Sequence, residues 1–84
     1  MTEADRLSLH ANVPHDLAEL VVMGAARIGV PLSKLRSDCR DRPLAYGRFW
    51  VARKARDAGH SFPAIGRALN RDHSTILQGL RGRA

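Results

Sequence analysis

Between Pro14 and Gly29 the apolar positions Leu17, Leu20, Val21, Gly24 and Ile28 recur at intervals of one, three and four. That spacing predicts one stripe of an amphipathic helix. Gly29 should end it, and Pro31 cannot lie inside a continuing helix. A brief turn, Ser33 to Arg36, runs into a basic loop from Arg36 to Arg42. Pro43 opens a second long helix to about Asp57, with Leu44, Arg48, Val51 and Ala55 on one face. Ala58-Gly59 closes it. Ser61 suits an N-cap, Pro63 falls in the first turn where its missing N–H costs little, and Phe62, Ile65 and Leu69 supply an apolar side. The turn Asn70-Arg71-Asp72 then leads into a last helix from His73 through Leu80. In that helix Ile76, Leu77 and Leu80 are apolar, Ser74, Thr75, Gln78 and Arg81 fall on the other side, and Asp72 is placed to cap it.

Strand signals are absent, and there is no internal repeat or low-complexity stretch. The pattern predicts an all-α fold, a small helical bundle containing a helix-turn-helix. Residues 1–12 are expected to form a loosely ordered tail, and residues 13–84 the domain. Phe49, Trp50 and Phe62 read as core side chains. His10, His15 and His60 read as surface residues without metal-ligand spacing.

A chain of 84 residues has room for one core. It holds no apolar run of the length a transmembrane helix needs. Its acidic start, Glu3 to Asp5, does not resemble a signal peptide. Cys39 is the single cysteine, which excludes an internal disulfide and a cysteine-based zinc site. The expected setting is the cytoplasm, in association with the nucleoid, with no membrane contact, cofactor or metal.

Charge sharpens the picture. The net charge is +6, and twelve of the fourteen basic residues are Arg, the side chain suited to phosphate and guanine. Residues 36–84 carry eleven of these bases against Asp38, Asp41, Asp57 and Asp72, a net +7, so the second half is expected to face a polyanion. A short helical pair with a tight turn and an upstream helix to pack on is the pattern that places its second helix in a DNA major groove.

Catalysis is not expected. Asp72, His73 and Ser74 are the residue types of a hydrolytic triad, but neighbours on a helix point about 100° apart and cannot form a relay. No Gly-x-x-x-x-Gly-Lys-Ser/Thr phosphate loop occurs in the sequence.

The run Ile65-Gly66-Arg67-Ala68-Leu69-Asn70-Arg71-Asp72-His73-Ser74-Thr75-Ile76 resembles the signature of the carboxy-terminal DNA-binding domain of the bacterial chromosomal replication initiator, DnaA. The likeness extends from about Asp16 to Leu80. It implies sequence-specific binding of double-stranded DNA. By that resemblance Asp72, His73, Ser74 and Thr75 read bases in the major groove, and Gln78, one turn on, is a further candidate. Arg40 and Arg42 of the basic loop are the candidates for the minor groove. Arg48, Arg56, Pro63 and Arg71 are the candidates at phosphates. Three departures stand out: a single Asn70 where two glycines are frequent, bulky Phe49-Trp50, and Gln78 in place of a frequent His.

A chain that opens on Met1 and carries no nucleotide-binding loop is expected to act as a transcriptional regulator of phage-like or gene-transfer-element type. The alternative is the origin-binding domain of a replication initiator. A rival of another class is a protein-interaction module whose partner is RNA polymerase or a replication factor.

Overall fold

The structure, a computed structural model, describes residues 2–39 and 41–71. Among them run five helices: α1 (Glu3–Ala11), α2 (His15–Ile28), α3 (Leu32–Leu35), α4 (Arg42–Asp57) and α5 (Phe62–Ala68). No strand occurs among the described residues. The all-α expectation therefore holds, and four of its elements lie where the periodicity put them. The helix predicted from His73 to Leu80 lies outside the described residues.

The expectation for the amino-terminal segment is corrected. The segment expected to be a loose tail is helix α1. Thr2 caps it: its hydroxyl accepts from the Asp5 amide at 3.2 Å, while the Asp5 carboxylate accepts from the Thr2 amide at 3.2 Å. This reciprocal pair satisfies amides that would otherwise lack partners in the first turn. Ala4 and Leu7 then bury their side chains against the rest of the molecule, and α1 packs on α2 and touches α5. Burying a leucine contributes about 1.5–3 kcal/mol, enough to hold a short helix that would not persist alone.

The core is built on α2 and α4, the pair in most extensive contact. Leu17, Val21, Leu35, Leu44, Val51, Ile65 and Leu69 are its fully buried large side chains. The crossing is close because both helices carry glycine at it. A Cβ on Gly24 would run into Val51 Cγ2, and one on Gly47 would stand 2.7 Å from Ile28 Cδ1 and 3.1 Å from Leu35 Cδ1. Gly24 opposite Val51 and Ile28 opposite Gly47 set the two helices antiparallel. At the edge of the crossing Arg27 lies over the Trp50 ring, 4.9 Å from its centroid. Of the three aromatics expected in the core, Trp50 and Phe62 pack against it, while Phe49 is half-buried outside that cluster.

His60 is not simply a surface residue. Its side chain is only 14% exposed, and Nε2 meets Asp16 Oδ2 at 2.9 Å, which ties the chain after α4 to the first turn of α2. His15 likewise lies between two carboxylates, with Nδ1 3.1 Å from Asp5 Oδ1 and Nε2 3.1 Å from Glu19 Oε1. The contact with Asp5 fastens the first turn of α1 to α2, and the one with Glu19 lies within α2.

Candidate nucleic-acid interface

The end of α5 decides the direction in which the chain leaves the first helix of the predicted helix-turn-helix. Asn70 has a φ of 55°, in the left-handed region that Asn tolerates better than most residues. Two backbone bonds close the turn: Asn70 N–H to the Arg67 carbonyl at 3.2 Å and Arg71 N–H to the Gly66 carbonyl at 2.7 Å. Together they form a Schellman motif, with Asn70 in the position glycine usually fills. The single Asn thus performs the task for which a glycine-containing turn is frequent.

Upstream, residues 36–39 carry the start of the basic loop, and Arg48 holds them from inside. Its Nε donates to the Leu35 carbonyl at 2.8 Å, Nη1 to Cys39 at 2.8 Å and Nη2 to Ser37 at 2.6 Å. Arg48 is 8% exposed, the one buried charged side chain among the described residues. Burial lowers its pKa below the ordinary arginine value, and the charge of Arg71 adds to that. The structure therefore gives Arg48 a different task from the phosphate contact expected of it. Every nitrogen of its guanidinium faces a backbone carbonyl, and little of it reaches solvent. The position it holds on the apolar face, between Leu44 and Val51, was visible in the periodicity.

The loop is also fastened to the turn after α5. Arg36 donates through Nε to the Ala68 carbonyl at 2.8 Å and through Nη2 to the Arg67 carbonyl at 3.3 Å. In return Asn70 Nδ2 donates to the Arg36 carbonyl at 3.2 Å. Arg71 Nη2 donates to the Cys39 carbonyl at 3.2 Å, the same oxygen that Arg48 reaches. Sequence reading missed Arg36 and the tie of Arg71. Their partners lie more than thirty residues away, and no local signal announces such a pairing.

The other expected contacts divide as follows. Arg42 is exposed at the first position of α4, at the end of the basic loop. Arg56 is exposed, donates through Nη1 to the His60 carbonyl at 2.9 Å and lies 4.3 Å from the Phe62 ring centroid. Pro63 is exposed in the first turn of α5, where the Ser61 hydroxyl accepts from the Ala64 amide at 3.3 Å. Arg71 is half-buried. Arg40, Asp72, His73, Ser74, Thr75 and Gln78 lie outside the described residues. Among the described residues no three potential metal ligands come together, and no helix is long and apolar enough to cross a membrane.

Residues 19–82 match the family model described as the bacterial dnaA protein helix-turn-helix. The match spans α2 from its second turn through α5 and on to the segment after Arg71, and α1 lies ahead of it. No curated protein and no solved structure matches the chain.

Proposed function

This chain belongs to the bacterial DnaA helix-turn-helix family, a family of DNA-binding domains, and we propose that it recognises duplex DNA at a short, A·T-containing box of the initiator type. The observation that carries the reading is the family match over residues 19–82, which includes the whole Arg71-Asp72-His73-Ser74-Thr75 run. Asp72, His73, Ser74, Thr75 and Gln78 supply base contacts in the major groove, and each good one contributes about 1–3 kcal/mol of discrimination. Arg40 and Arg42 supply the minor-groove contact, favoured where A·T pairs narrow the groove. Arg56, Pro63 and Arg71 bring the backbone to phosphate, together with other exposed bases of the second half. The domain works as a binding module and needs no cofactor.

Origin-type sites are the use nearest to the family. Control of transcription at the same class of box is a second reading, and the family match supports both. Both uses need the same DNA contact.

Salt dependence tests that contact. About five phosphate contacts predict that log K falls with log salt at a slope near −4 to −5. Fluorescence anisotropy of a labelled duplex between 50 and 300 mM salt, taken as roughly the range over which such slopes are read, measures it directly. No binding to the duplex would favour a protein-interaction module, whose partner is RNA polymerase or a replication factor.

A further inference from the structure

Arg36 is neither on the apolar face of a helix nor free in solvent. It is half-buried at the end of α3, with its guanidinium turned onto the last carbonyls of α5. Burial lowers its pKa from the ordinary arginine value. Carbonyls at a helix C-terminus lack intrahelical partners and carry the negative end of the dipole, so a cation there satisfies both needs. What distinguishes Arg36 from an ordinary capping residue is reciprocity. Asn70, the left-handed residue of the turn, donates back to the Arg36 carbonyl at 3.2 Å. The result is a closed clasp between the first residue of the basic loop and the turn from which the recognition segment departs.

We propose that Arg36 is a positioning residue for DNA readout: it fixes the spacing and angle between residues 36–39 and the turn Leu69–Arg71. Arg48 holds the same loop from the core side. Readout in two grooves requires the two reading segments to be held at a set separation before DNA arrives, and a loose linkage costs specificity more than affinity. Two of the three guanidinium nitrogens of Arg36, Nε and Nη2, are turned onto the end of α5. The inference rests on the DNA-binding reading given above.

The test compares wild type with Arg36→Met, which keeps length and apolar stem but removes the donors. Each is titrated by anisotropy against an initiator-type box duplex and a scrambled duplex of equal composition, over a range of salt. The expected result is a box-over-scrambled ratio that falls about tenfold, the size of one displaced base contact. The salt slope on scrambled DNA should stay at the wild-type value, and Arg36→Lys should restore part of the ratio. A ratio equal to wild type overturns the proposal, because loss of folded protein alone weakens both duplexes equally. A slope shallower by about 0.9 with equal loss on both duplexes also overturns it, making Arg36 a phosphate contact. If Arg36→Met fails to fold, as circular dichroism would reveal, Arg36→Lys decides the matter: a ratio between wild type and unity supports the clasp, and an unchanged ratio overturns it. A wild type that does not separate the two duplexes overturns the DNA reading itself, which the wild-type arm alone reveals.

Discussion

Arg48 and Arg71 converge on one acceptor, the carbonyl of Cys39, at 2.8 and 3.2 Å. One comes from the middle of α4 and the other from the turn after α5, so the loop at Cys39 is gripped from two directions. Residues 36–39 of the basic loop are thus tied to both α4 and the turn after α5, a frame whose stability can be measured.

Removing the inner grip should be costly. Arg48→Ala leaves the carbonyls of Leu35, Ser37 and Cys39 without the guanidinium that serves them. Bonds to a charged donor are among the stronger ones, and a destabilisation of about 2–4 kcal/mol is expected in urea unfolding. Arg48→Lys should recover little, since one ammonium cannot reach three carbonyls at that geometry. A loss below about 0.5 kcal/mol, the size typical of an exposed side chain, would return Arg48 to the surface.

The two glycines of the helix crossing should behave unlike the glycine at the end of α2. Gly24→Ala gains helix propensity of about 1 kcal/mol but drives a methyl into Val51, and a net loss of about 1–3 kcal/mol is expected. Gly47→Ala, whose Cβ would crowd Ile28, should lose a similar amount. Gly29 has open space around its Cβ position, and its φ of 71° alone opposes a side chain. Gly29→Ala should therefore cost only about 1–2 kcal/mol, and Gly29→Asn less. Thermal unfolding of these variants separates packing from backbone strain.

Helix α1 should contribute to stability although it lies ahead of the family match. Leu7 is 3% exposed, and Leu7→Ala is expected to cost about 2–4 kcal/mol by cavity formation. A change within about 0.5 kcal/mol would mean that the segment is the loose tail its mixed composition suggests. Protection of α1 amides from hydrogen exchange gives an independent check.

Acid should loosen the same end of the molecule. Hydrogen bonds from the Thr2 amide and hydroxyl hold Asp5 below the ordinary aspartate pKa. At Asp16, desolvation pushes the pKa up, but the hydrogen bond and charge of His60 outweigh it and the net shift is downward. A lowered folded-state pKa gives stability that is present above about pH 4 and lost as pH falls through the folded value. Melting temperature should fall between pH 5 and 3, taken as roughly the window in which aspartates titrate. The fall should be shallower in the Asp5→Asn, Asp16→Asn double variant. An unchanged slope in that variant would show that neither carboxylate links folding to pH.

Much of this was legible in the chain because its signals are local. Leu17 to Ile28 and Leu44 to Ala55 repeat at helical spacing, and Gly29, Gly59 and Pro63 punctuate them. Asn70 was readable as a residue that tolerates the left-handed turn. The Thr2 and Asp5 cap was also written locally, three residues apart, but the mixed polarity around it hid a helix whose apolar side is only Ala4 and Leu7. Arg48 shows the opposite case. Its place between Leu44 and Val51 pointed inward, while its charge and its match to the family pattern pointed to phosphate, and geometry favours the first. The Arg36 clasp joins residues 31 to 34 apart and could not be read at all. Tertiary hydrogen bonds to backbone leave no trace in periodicity, since any carbonyl can accept.

Sequence-specific recognition of duplex DNA stands or falls on a single titration. The purified chain is titrated by fluorescence anisotropy at about 150 mM salt, close to physiological ionic strength, against an initiator-type box and a scrambled duplex of equal composition. Specific readout predicts a preference above about tenfold for the box, abolished by His73→Ala with the helical circular-dichroism spectrum unchanged. Equal binding to both duplexes would contradict it, and a preference that survives His73→Ala intact would remove His73 from the base contacts.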